Sequence, residues 1–402
     1  MFYLNRFIAE KVTERPESMF LKDLEKYQEE LRKRIAGKRA LVIGGAGSIG
    51  SSFIRALLPF QPSELVVVDT NENALAELTR DLRSTRGMYV PEKYLPYPMD
   101  FASPVFEKMF RANRGFEIIG NFSAHKHVRS EKDIYSVEAL LQNNVLHAAK
   151  LLELLSEIPP ETYFCVSTDK AANPVNIMGA SKRIMEDLIF SYSDRFPVKT
   201  ARFANVAFSN GSLPAGFLER IRKLQPLSAP SDVRRYFVSP EESGQICLLA
   251  CLLGNNREIF YPRLKEAQMK SFDAIGTALL EAHGYQAVPC ASEAEAIEKA
   301  EELKAGSSLY PVYYAPSDTS GEKPYEEFVT EDEQTDEERF SALGVITGKP
   351  VPDRARIDRL MGALEAAFGR PDASKEAVVA IMSDYLPNFQ HIETGRSLDS
   401  KM

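Results

Sequence analysis

The sequence predicts an α/β protein built on a doubly wound parallel sheet. Short apolar runs alternate with stretches of helical periodicity from residue 40 to about 206. A glycine triplet stands between the first run and the first helix, and polar groups gather where later runs end. Three parts are expected: an N-terminal helical extension (1–38), a dinucleotide-binding core (39–206, with core elements recurring up to 260), and a smaller C-terminal α/β substrate-binding region (207–402). A chain of 402 residues, 44% of them apolar, buries a large core. The net charge of −8 and the lack of any long Lys/Arg run exclude a nucleic-acid footprint. The longest apolar stretches, 65–68 and 246–253, are too short to span a membrane. The N-terminus mixes charges into its apolar residues and offers no small-residue cleavage site. Cys165, Cys247, Cys251 and Cys290 read as reduced thiols of a cytoplasmic protein. Cys247 and Cys251 share a helix face, but no second pair completes a metal site.

Each element follows in order. Phe20, Leu21, Leu24, Tyr27 and Leu31 recur at helical spacing, so the extension is helical and packs on the main body or on a partner subunit. Residues 40–43 are a short buried strand and 51–60 a helix. Strand 64–68 ends at Asp69, helix 74–86 follows, and strand 94–99 ends at Asp100. Helix 104–113, strand 117–122 and the loop Ser123-Ala124-His125-Lys126-His127 come next. A long helix, 137–156, carries Asn144. The run TYFCV leads into Ser167, Thr168, Asp169 and Lys170, then a loop with Asn173 and Pro174, then a helix to Tyr192 bearing Lys182. Strand 198–204 leads into Asn205. Beyond it the pattern loosens: helix 214–223, Arg234-Arg235, a helix opened by Ser239-Pro240-Glu241-Glu242, and an acidic helical stretch at 291–305. Residues 317–336 read mostly as a solvated acidic loop, and the tail from Lys375 as a loosely held C-terminus. No internal repeat or low-complexity tract is present.

The glycines have a physical use. Gly44 permits a tight turn after the strand, and Gly47 lets backbone approach a pyrophosphate. Gly50 lets the helix pack close, with the amides around Ser48, Ile49 and Gly50 aimed at the anion. Asp69, 19 residues after Gly50, is placed to bond the ribose hydroxyls of an adenosine. No Lys or Arg follows it before Arg80, which favours NAD over its 2′-phosphorylated form. Asp100, at the end of the next strand, stands where an acid faces the adenine amino group. The cluster Thr168-Asp169-Lys170 sits at a strand's C-terminal end, where ligands bind in such sheets. A polar turn capping a helix is the plainer alternative there. Lys126 and His127 suit either a surface turn or a sugar site. Arg235 suits diphosphate binding or a pair with Glu241 or Glu242.

Together these residues resemble the extended short-chain dehydrogenase/reductase superfamily, with its Rossmann-type fold. Within it the chain is most similar to the nucleotide-sugar 4,6-dehydratases of polysaccharide biosynthesis that act on UDP-N-acetylglucosamine. The stretches that carry the likeness are GGAGSIG at 44–50, SAHKHV at 123–128, STDKAANPVNIMGASKR at 167–183, RFANV at 202–206, RRYF at 234–237 and SGEKPYEEF at 320–328. The likeness is good from about 39 to 250 and patchy beyond. The superfamily usually carries a Tyr four residues before its Lys; here that place holds Met178, as in a subgroup of the dehydratases. Ile43 stands where a Thr often precedes the glycines. Asp318-Thr319-Ser320 precede Gly321 where relatives often carry an Arg that grips the nucleotide.

The resemblance implies a redox-neutral dehydration with tightly bound NAD, regenerated each turnover. Carbon 4 of the sugar is oxidised, water leaves across carbons 5 and 6, and hydride returns to carbon 6. Asp169 is then the acid for the 6-hydroxyl and Lys170 the base at carbon 5. Thr168 bonds the 4-oxygen, and Lys182 bonds the nicotinamide ribose. Lys170 needs a depressed pKa for its part, through burial or the nearby Lys182. Met178 takes no proton, so that of the 4-hydroxyl is expected to pass through Thr168 or a water to Asp169. Lys126, His127, Asn205 and Arg235 are the expected substrate contacts. A homodimer or higher homo-oligomer is expected, joined through the helices that flank the catalytic region. A 4-epimerase or ketoreductase, or a non-catalytic NAD-binding protein, are the alternatives on this scaffold.

Overall fold

Six of the apolar runs form parallel strands of one sheet: β1 (Arg39–Ile43), β2 (Glu64–Asp69), β3 (Lys93–Pro98), β4 (Ile118–Asn121), β5 (Thr162–Thr168) and β6 (Val198–Phe203). The structure is a computed structural model that describes residues 2–318, 320–321 and 323–395. Thr319 and Glu322, named above within the 318–328 stretch, and the end of the tail from 396 lie outside the described residues. β1, β2, β4, β5 and β6 are buried along nearly their whole length, which is why they read as continuous apolar runs and not as alternation. The strand order is β3-β2-β1-β4-β5-β6. It reverses between β1 and β4, and this opens a crevice at the C-terminal strand ends.

The sheet continues past both limits set from sequence, 206 and 260. Strand Glu258–Pro262 pairs parallel to β6, and Leu343–Thr347 and Gln334–Asp336 add on antiparallel, giving nine strands among the described residues. The outermost strand escaped sequence reading because it is polar and largely exposed, as edge strands commonly are. A second apolar cluster gathers Phe217, Leu227, Leu279, Tyr310 and Val312 around a three-stranded sheet of Leu227–Pro230, Leu309–Ala315 and Gln286–Pro289. The N-terminal segment bridges both clusters. Phe7, Ile8 and Val12 enter the second, and Phe20, Leu31 and Ile35 enter the first. Leu21, expected on the buried face, is exposed. The Arg15 guanidinium fixes the segment by a two-pronged pair with Glu242, Nε to Oε1 at 2.8 Å and Nη2 to Oε2 at 2.6 Å. Glu242 also closes a capping box with Ser239 at the start of helix Pro240–Leu253. That helix lies tightly on helix Ser48–Leu57, because a Cβ at Gly244 would collide with the Ser52 carbonyl.

Three further expectations are corrected. Residues 317–336 are not a solvated loop: Glu326 and Phe328 are buried, and the Glu333 side chain is enclosed beside Arg202. The chain from Lys375 is not loose at first. It forms helix Lys375–Tyr385, whose Val378 and Met382 are fully buried. With helix Arg354–Phe368 it lies against helix Ile177–Phe190, Tyr385 bonding Asp187 at 3.2 Å and Arg354 lying over the Tyr192 ring. Nearly every residue of helix Ile177–Phe190 is buried within the chain. Finally, helix 137–156 is not continuous. A π turn, Gln142–Leu146, interrupts it between Ile134–Leu141 and His147–Glu157. Such turns recur at functional sites. This one carries Asn144, whose side chain bonds the His125 backbone and the Ser181 hydroxyl (3.1 Å), tying the 123–128 loop to helix Ile177–Phe190.

Candidate active site

Two groups of residues meet at the C-terminal edge of the sheet. The first follows β1 and β2. Gly44 has φ +71°, and a Cβ there would lie 2.6 Å from the Ser123 nitrogen. A Cβ at Gly50 would collide with the Gly44 carbonyl, so the turn and the helix pack at glycine-only distance. Gly47 precedes helix Ser48–Leu57 without a side-chain cap, leaving the amides of Ser48, Ile49 and Gly50 at an open helix N-terminus. The Asp69 carboxylate is pinned beside them, accepting from the amides of Ala46 (3.1 Å) and Asn71 (2.9 Å). A dinucleotide fits this cradle: close backbone, an uncapped helix start and a fixed acid. Asp100 is exposed and accepts from the Ala102 amide at 2.8 Å.

The second group follows β5. The Thr168 hydroxyl donates to Asp169 Oδ1 at 2.8 Å, and Lys170 Nζ lies 3.1 Å from the same oxygen. Asp169 is buried and Lys170 nearly so. The expected depression of Lys170 is not found. Burial works against its ammonium, but the charges of Asp169 and Glu326 outweigh burial and hold its pKa above the ordinary lysine range. Burial pushes Lys182 down instead, with Cys165 and Glu186 opposing, and it also lowers Lys126. The Lys182 Nζ bonds the Val166 carbonyl at 3.0 Å. Met178, one turn earlier on the same helix, is 3% exposed. That helix start is held by buried Glu131, which accepts from the amides of Ile177 (3.0 Å) and Met178 (2.8 Å), and by Asn176, which caps Gly179.

Lys126, His127 and Asn205 line one cavity of about 370 Å³, together with Ser228, Phe272 and Tyr313. Lys126 Nζ donates to the Asn210 carbonyl at 2.9 Å across its mouth. A larger cavity, about 960 Å³, lies between the N-terminal segment and helices Ser48–Leu57 and Pro240–Leu253. Neither cavity is lined by the β5-end or cofactor-cradle residues; the smaller one is the sugar-site candidate because Lys126, His127 and Asn205 line it. Arg235 is not among the lining residues of the smaller cavity. It is buried, donates to the carbonyls of Arg234, Lys323 and Pro324, and lies 4.0 Å from Glu326. Its alternative partner Glu242 is taken by Arg15. Sequence reasoning missed Glu326, Glu131 and Arg202. Glu326 and Arg202 each had a signal, their places in SGEKPYEEF and RFANV.

The fold and these two strand ends define an extended short-chain dehydrogenase/reductase of the nucleotide-sugar dehydratase/epimerase kind. More narrowly, the chain belongs to the polysaccharide biosynthesis protein family, whose sequence pattern matches residues 40–347. It is 31% identical over 237 residues to the probable polysaccharide biosynthesis protein EpsC of Bacillus subtilis, covering 58% of this chain and 38% of that one. The chain thus spans well under half the length of that relative. An uncharacterized membrane protein of Methanocaldococcus jannaschii is 30% identical over 354 residues, 86% of this chain and 96% of its own. No helix among the described residues here is long and apolar enough to cross a membrane. A UDP-N-acetylglucosamine 4,6-dehydratase (inverting) of Campylobacter jejuni is 26% identical over 57% of this chain and 67% of its own. Among solved structures, Pen from Bacillus thuringiensis superposes with a TM-score of 0.63 at 20% identity, covering 80% of this chain and 90% of that one. The dTDP-glucose 4,6-dehydratase DesIV of Streptomyces venezuelae, solved with NAD, superposes at 0.52 with 20% identity, over 69% and 88%.

Proposed function

We propose that the chain is an NAD-dependent nucleotide-sugar 4,6-dehydratase that converts UDP-N-acetylglucosamine to its 4-keto-6-deoxy derivative. The observation that carries this reading is the contact of one buried carboxylate, Asp169, with both the Thr168 hydroxyl and the Lys170 ammonium. The activity of the Campylobacter relative supports it. Gly44, Gly47, the amides after it, Asp69 and Lys182 would hold NAD, which would supply a hydride acceptor at carbon 4 and a donor at carbon 6. Thr168 holds the 4-oxygen and passes the hydroxyl proton to Asp169, along the bond already made between them. This relay takes the place of the phenol that Met178 lacks. Asp169 then gives that proton to the departing 6-hydroxyl, and Lys170 removes the proton from carbon 5, which the 4-ketone has acidified. Lys182 adds positive potential that favours the 4-alkoxide. Lys126, His127 and Asn205 contact the nucleotide sugar from the 370 Å³ cavity, while Arg235 acts from behind, through Glu326.

The reading is tested with purified protein, NAD and UDP-N-acetylglucosamine in deuterated water, followed by NMR. The expected product is a 4-keto-6-deoxy sugar carrying deuterium at carbon 5, with no net reduced cofactor. Recovery of a carbon 4 epimer, or of unchanged sugar, would overturn it.

A further inference from the structure

We propose that Glu326 is a positioning residue that acts through Lys170, taking up its proton so that the amine is free to work at carbon 5. The inference rests on the dehydratase reading above. Glu326 lies between strands Leu309–Ala315 and Gln334–Asp336 and is 3% exposed. Its Oε1 is buried without a hydrogen-bond partner and lies 3.6 Å from Lys170 Nζ. A buried carboxylate oxygen left unpaired is costly, and such atoms mark places where something must arrive. The other charged groups facing it are Asp169 beyond Lys170, Arg235 at 4.0 Å and Lys323 at 4.0 Å. Arg235 surrenders no proton, and the Lys323 ammonium also bonds the Asn173 carbonyl. Lys170 is the nearest cation and the one with chemistry to perform.

The need for an acceptor follows from the site. Lys170 is held as an ammonium by two carboxylates, and an ammonium is no base. Burial raises the pKa of Glu326, and the Asp169 charge adds to this, against Lys170, Arg235 and Lys323. Moving one proton from Lys170 Nζ to Glu326 Oε1 turns a buried ion pair into a neutral pair. The freed amine then takes the carbon 5 proton. The carbon 5–hydrogen electron pair becomes the carbon 5–carbon 6 double bond as the carbon 6–oxygen bond breaks. That oxygen leaves as water with the proton from Asp169. After hydride reaches carbon 6, Lys170 delivers to carbon 5 one of its three solvent-exchangeable hydrogens and recovers the proton stored on Glu326. No proton is gained or lost over the cycle.

The test compares the full-length protein with Glu326→Gln and Glu326→Asp across pH. With the proton stored internally, wild-type kcat is level from neutral to alkaline pH. Glu326→Gln has no store, so its kcat falls by about 100-fold at neutral pH. It then climbs with pH as solvent takes the Lys170 proton, while KM stays within about twofold. Glu326→Asp retains the level profile. A Gln variant with wild-type kcat, or with a loss equal at every pH, would overturn the proposal; the second result marks a merely structural role. Failure of the dehydratase reading shows up separately, as wild-type protein that forms no 4-keto product.

Discussion

Ser167 and Thr168 are successive residues of β5, so their side chains leave on opposite faces and lead into two different buried ionic clusters. The Ser167 hydroxyl donates to Glu186 at 2.7 Å. Glu186 and Glu333 grip Arg202, which is fully buried and uses all five of its N–H donors: Nε and Nη2 on Glu186, Nη1 and Nη2 on Glu333, and Nη1 on the Phe328 carbonyl. Lys349 closes the Glu333 side at 2.5 Å. On the other face, Asp169, Lys170 and Glu326 are also charged and enclosed beside the Thr168 hydroxyl, yet an oxygen of Glu326 is left without a hydrogen-bond partner. A saturated network fixes one geometry, here joining β6, helix Ile177–Phe190 and the 328–333 segment. A network with one place open can rearrange its protons. The difference separates the part that holds β5 still from the part proposed to react at its end.

The largest effect should come from breaking the saturated side. Arg202→Met takes from buried Glu186 and Glu333 the partner they share, leaving them only Arg183 and Lys349, and should cost about 3–5 kcal/mol in urea unfolding; a loss under 1 kcal/mol would contradict the assignment. Next, Asp169→Asn removes the proton carrier and should lower kcat by roughly 100-fold. Steady-state product formation measures this, and wild-type turnover would remove the role. A third change touches neither cluster. Gly244→Ala should push helix Pro240–Leu253 off helix Ser48–Leu57 at a cost of about 1–3 kcal/mol, read as a lower urea midpoint with kcat/KM nearly unchanged.

The smallest effect is on acid stability. Burial alone would raise Glu333, but the bonds and charge of Arg202 outweigh it and hold the carboxyl at about 2. A depressed carboxyl contributes stability that is fully present above its unfolded value, about 4.3. That contribution is lost as pH falls through about 2. Unfolding free energy should therefore drop over that window in the wild type, and less steeply in Glu333→Gln. Equal slopes would contradict the pairing.

The sequence made the local features legible and hid the non-local ones. The turn at Gly44, the close helix packing at Gly50 and the acid at Asp69 depend on neighbours within one strand–helix–strand unit, so spacing alone reveals them. Thr168, Asp169 and Lys170 were legible because they are consecutive at a strand end. Glu326 and Glu333 were not, since their partners Lys170 and Arg202 lie more than a hundred residues away and an acidic stretch ordinarily means solvent. The same holds for helix Lys375–Tyr385, whose buried face is defined only by the helix it covers. The Lys170 expectation failed for a related reason. Burial was foreseeable, but the second carboxylate that overrides it was not.

The most direct test of the assignment at the end of β5 uses Lys170→Met with NAD and UDP-N-acetylglucosamine in a single turnover. Oxidation at carbon 4 should proceed and stop there, so that reduced cofactor accumulates on the protein and carbon 5 keeps its original hydrogen. Formation of the 4-keto-6-deoxy product at the wild-type rate would contradict the account.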